Sequence, residues 1–74
     1  MMKKGNRVCF IGCSTHQINW GNNDDPNPIL TEGEVYVIES VIVHSQHTKI
    51  KLVGYPGWFN SVCFHRSENE TQVS

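Results

Sequence analysis

Three cysteines and four histidines give this 74-residue chain the raw material for thiol, imidazole or metal chemistry. Cys9, Cys13, His16, Cys63 and His65 are the set with a route to one place. If the first and last strands pair, Cys13 and His16 can approach Cys63 and His65. Zinc wants four N or S ligands in a tetrahedron. The Cys-x-x-Cys hook of most structural zinc sites is missing, so the spacing argues for no metal and no cofactor. A Cys–His pair can also act as nucleophile and base. Here no third group orients the base and no oxyanion loop can be named. The expectation is therefore a protein that is not an enzyme, with Cys9 and Cys63 filling core space as small hydrophobes.

Aromatic and charged residues offer binding chemistry instead. Trp20, Tyr55, Trp58 and Phe59 can anchor a protein partner, or stack on a base. Trp58 and Phe59 are neighbours in a strand, so one should point inward and the other outward. Asp24 and Asp25, near Glu32 and Glu34, make an acidic loop that can rim an interface or simply shape a turn before Pro26. Trp20, Asp24, Asp25, Tyr55 and Trp58 are the expected partner-binding residues. A nucleotide would need cationic donors, for which Lys49, Lys51 and Arg66 are available.

Short strands must position these residues. Arg7 to Gly12 reads as a first strand of high β preference. Cys13 to Ile29 reads as a long polar loop without regular structure, with Trp20 at its middle. After a turn at Thr31–Glu34, Val35 to Val43 is the longest strand. Both its faces are partly apolar, as in a strand that bends between two sheets. His44 to Thr48 is a hairpin loop with solvated histidines, and Lys49 to Val53 alternates. Gly54–Gly57 turns a corner. A short strand at Trp58-Phe59, one tight helical turn and a last strand at Val62–Phe64 complete the order. The expected fold is all-β, a five-stranded antiparallel barrel over 3–66 with a polar tail over 67–74. Its core should hold Val8 or Phe10, with Val35, Val37, Ile50, Leu52 and Val62.

Composition sets the outer bounds. A chain this short buries about 60% of its unfolded surface and makes one domain of modest stability. Six Lys and Arg against seven Asp and Glu form no basic stripe, which argues against duplex nucleic acid. No apolar run nears the roughly 20 residues of a membrane span, and the start has no signal-peptide pattern. A cytoplasmic location is expected, and with it three free thiols. Asn69-Glu70-Thr71 spells a glycosylation sequon that carries no meaning in that setting.

"ILTEGEVYVIE" followed by "TKIKLVGYPGWFNSVCF" resembles the Src-homology-3-like barrel, with its long first loop, diverging turn, meander and helical turn before the last strand. "RVCFIG", "LTEGEVYVI", "IKLV" and "WFNSVCF" together resemble small Src-homology-3-like proteins of phages and prophages, over roughly Lys3 to His65. The first strand region, "VCFIGCSTHQ", lacks the tyrosine pair of a proline-rich-peptide groove. The resemblance implies an accessory protein that inhibits a bacterial defence component by direct binding in the host cytoplasm. Its alternatives are a homo-oligomeric sponge for a nucleotide signal and a scaffold module without a small ligand.

Overall fold

The computed structural model describes residues 2–20 and 22–67; the expected polar tail beyond Ser67 lies outside them. In chain order it contains β1 (Arg7–Phe10), α1 (Thr15–Asn19), β2 (Val35–Val43), β3 (Thr48–Leu52) and β4 (Phe59–Asn60). A 3-10 turn (Ser61–Cys63) leads into β5 (Phe64–Arg66). All pairings are antiparallel, in the order β4-β3-β2-β1-β5. β4 and β5 share no ladder among the described residues, so the five-stranded sheet is open.

β2 is the hinge of this architecture. Its first part pairs with β1, Val35 opposite Cys9 and Val37 opposite Arg7. Its second part pairs with β3, from Ile38 opposite Leu52 to Val43 opposite Thr48. The register slips between Ile38 and Ser40. An extra residue at such a slip bends the strand and increases its twist. The slip also switches which residues of β2 face inward, from Tyr36 and Ile38 before it to Val41, opposite the buried Ile50, after it.

Val8, Phe10, Leu30, Ile38, Ile50, Leu52, Phe59, Cys63 and Phe64 form the buried core. Phe64 sits between Phe10 and Phe59, with ring centroids 5.4 Å and 6.4 Å away. Both β1 candidates, Val8 and Phe10, are inside, and so are Ile50 and Leu52. Val35, Val37 and Val62 are not: they are 50%, 39% and 55% exposed. The alternation of β2 turns Tyr36 and Ile38 inward, so Val35 and Val37 face out. At the 3-10 turn the Asn60 side chain accepts from the Val62 N–H, and the following residue, Cys63, enters the core. Of the neighbouring aromatics, Phe59 is fully buried and Trp58 half-buried.

The long loop is more structured than its composition suggests. Ser14 caps α1, its hydroxyl accepting from the Gln17 N–H while Gln17 Oε1 accepts from the Ser14 N–H. This reciprocal capping box satisfies amide donors that a free helix end leaves open. At the other end Asn23, almost fully buried, donates through Nδ2 toward the carbonyls of Gln17 and Ile18. A single turn of helix therefore stands where no regular structure was expected.

Candidate functional site

The arm that carries α1 is fastened to the sheet at three places. Cys13 and Cys63 form a disulfide, with Cα atoms 5.1 Å apart. The expected approach of Cys13 to Cys63 thus occurs. Three free thiols are not found, however, because the arm brings Cys13 onto the buried Cys63; Cys9 is the free cysteine. Asn60 Nδ2 donates to the Gln17 carbonyl at 3.0 Å. The Trp58 N–H donates to Asp24 Oδ2 at 2.8 Å, and the Asp24 N–H donates to the Trp58 carbonyl at 2.9 Å. Gly57, at φ 105°, precedes that clamp; a Cβ there would lie 3.0 Å from Asp24 Oδ2, so both conformation and space call for glycine. Asp25 Oδ1 accepts from the Asn27 N–H, ordinary turn chemistry.

Fastened this way, α1 forms one wall of a groove of about 360 Å³. His16, Gln17 and Trp20 face Gln46 and His47 of the β2–β3 loop, with Asn60 and Val62 completing the lining. Trp20 is 47% exposed and leans on His16 at a centroid distance of 6.2 Å. Across the groove His47 stacks on His44 at 4.6 Å. The loop holds that stack, since the His44 N–H donates to the His47 carbonyl at 2.8 Å. Desolvation lowers the His47 pKa below its ordinary value, with help from the charges of His44 and Lys49. The groove thus presents aromatic and apolar surface with amide groups and no carboxylate.

The expected site residues divide between places. Trp20 lines the groove; Asp24 and Trp58 meet in the clamp and do not line it. Lys49 reaches the same arm, its Nζ donating to the Asn22 carbonyl at 3.4 Å. Lys51 follows on β3, opposite Ser40. Arg66 lies on β5, opposite Val8 and three strands from β3 in the hydrogen-bonded order. Tyr55 belongs to a second hollow, of about 550 Å³, where its ring meets the edge of Tyr36 at 5.3 Å. His16, Gln46, His47 and Val62 were not singled out as binding residues. The Ser14-x-x-Gln17 capping box was the readable sign that His16 and Trp20 share one face of a helical turn.

Among the described residues no group of three or more His, Cys, Asp or Glu side chains could hold a metal ion. No helix among them is long and apolar enough to cross a membrane.

Fold and site describe a small all-β protein with an exposed aromatic groove between two loops. Residues 17–74 match the family model described as Bacteriophage T4 protein Y07B, and the chain belongs to that phage family. The match takes in every residue of the groove except His16. No curated protein and no solved structure matches the chain.

Proposed function

We propose that this phage accessory protein works without catalysis, by binding and occupying a host defence protein through the Trp20 groove. The observation that carries the reading is Trp20 itself. A large, half-exposed aromatic on a capped helical turn is expensive to leave in water and well suited to fill a partner's pocket. Its wall is held by the disulfide and the Asp24–Trp58 clamp, so little ordering cost falls on binding. The finer fold reading is a Src-homology-3-like barrel. The shared strand β2, the strand order and the 3-10 turn before β5 support it. The family match supports a phage-encoded protein; inhibition of a defence component in the host cytoplasm is part of this proposal.

A nucleotide sponge is the weaker reading. Lys49 is engaged with the arm, and neither Lys51 nor Arg66 lines the groove. The separating experiment compares Trp20→Ala with Lys49→Glu/Lys51→Glu in a phage-protection assay. Loss of function in Trp20→Ala alone supports protein binding. Loss confined to the lysine variant would support the nucleotide.

A further inference from the structure

The first part of β2 has one paired edge and one open edge. Toward β1 its bonds fall on alternate residues: the Phe10 N–H donates to the Glu34 carbonyl, and the Ile38 N–H donates to the Asn6 carbonyl. In an antiparallel ladder the residues between these direct their N–H and C=O groups the other way. Val35 and Val37, opposite Cys9 and Arg7, are those residues. On that other side the β3 ladder reaches only as far as Ile38, and beyond it the Val53 N–H donates to the Val37 carbonyl. The chain then turns off through Gly54, with the Tyr55 N–H donating back to the Leu52 carbonyl. Among the described residues the Val35 N–H and C=O and the Val37 N–H have no backbone partner. An open edge of this kind is a template for another strand.

The edge borders the hollow of about 550 Å³, which shares no residue with the Trp20 groove. Strand alternation gives the hollow two sides. Val35 and Val37 lie on one, and they and Val53 are exposed. Glu34 and Tyr36 alternate to the other, where the Tyr36 ring meets Tyr55 edge to face. The Thr31 N–H donates to the Tyr36 hydroxyl at 2.9 Å and fixes that ring. Glu34 is the only charged residue of the lining.

We propose that this edge takes an extended peptide segment of a partner protein, paired antiparallel to β2 and carrying a Lys or Arg next to an apolar residue. The open backbone groups specify the extended shape, since a residue opposite Val35 exchanges both of its hydrogen bonds with it. That residue's side chain shares the face of Val35, so an apolar one fits. The residues on either side of it stand opposite Tyr36 and Glu34. Aromatic rings and a carboxylate there favour a cation, and an acidic segment would meet like charge.

The probe is a capped peptide, acetyl-Thr-Val-Lys-Val-Thr-amide, titrated into the isotope-labelled full chain and followed by NMR. The Val35 and Val37 amides should shift and exchange their hydrogens more slowly, with the Trp20 groove undisturbed. Replacing the probe's lysine by glutamate should weaken binding about tenfold. Glu34→Gln should weaken it about threefold. N-methylating both valines of the probe keeps its side chains and removes their donors, and should abolish binding. Trp20→Ala should bind the probe as the wild type does, which separates this inference from the groove reading. No shift at millimolar probe overturns the proposal. So does binding that survives N-methylation, or a glutamate probe that binds equally well. Slow exchange at Val35 in the free chain that quickens on dilution also overturns it, since a second copy then already fills the edge.

Discussion

Breaking the Cys13–Cys63 bond should remove at least a third of the stability this chain has. The bond joins residues 50 apart in sequence, so it removes much of the freedom of the unfolded chain. The loop-entropy relation puts that at about 4 kcal/mol for a loop of about 50 residues. A chain of 74 residues has about 4–11 kcal/mol in total, at roughly 0.05–0.15 kcal/mol per residue. Reduction should therefore lower the melting temperature by roughly 15–30 °C. Cys13→Ser is the cleaner variant. Cys63 is fully buried and would leave a core defect, whereas Cys13 is half-buried. Its hydrogen bonds to Asn27 use the Cys13 backbone and survive the change. Urea unfolding followed by circular dichroism, with and without reductant, measures the difference. The m value should rise on reduction, because the open unfolded chain exposes more surface. Thiol titration of denatured, unreduced protein should find one thiol, Cys9. Three thiols, or a stability loss below about 1 kcal/mol, would mean that the bond does not hold the fold in this way.

Other expectations follow from single side chains. Leu52→Ala should cost about 2–5 kcal/mol in the same urea experiment, since Leu52 is fully buried beside Ile38. Trp20→Ala should leave the melting temperature nearly unchanged while weakening partner binding by about 2 kcal/mol, measured by calorimetry once a partner is in hand. The folded pKa of His47 lies below 6.5, so its neutral form favours the folded state. That contribution is fully present above pH 6.5 and is lost as pH falls through the lowered folded value. An NMR titration should find the His47 midpoint below 6.5, and His44→Gln should raise it.

Strand order was legible because β-branched runs and turn residues mark the strands plainly. The double role of β2 also showed, in the apolar residues on both its faces. Which face turned inward did not, since Val35 and Val37 are as apolar as Tyr36 and Ile38 and only the pairing with Val8 decides. Val62 and Cys63 are both small and apolar, so both were expected inside; the 3-10 turn admits Cys63 and leaves Val62 exposed. Trp20 could be picked out as the costly residue of a polar loop. Its neighbours could not, because the groove joins His16 to Gln46 and His47, segments linked only by tertiary contacts. The disulfide was hidden for a different reason. Compartment argues for free thiols, while proximity was visible only through the pairing of β1 with β5.

We propose above all that the Trp20 groove takes a protein partner. Native mass spectrometry of the tagged chain, purified from infected host cells beside its Trp20→Ala variant, tests it most directly. One host protein should be bound at fixed stoichiometry to the wild type and absent from Trp20→Ala. A bound nucleotide in place of a protein, or a protein complex that survives Trp20→Ala unchanged, would contradict it.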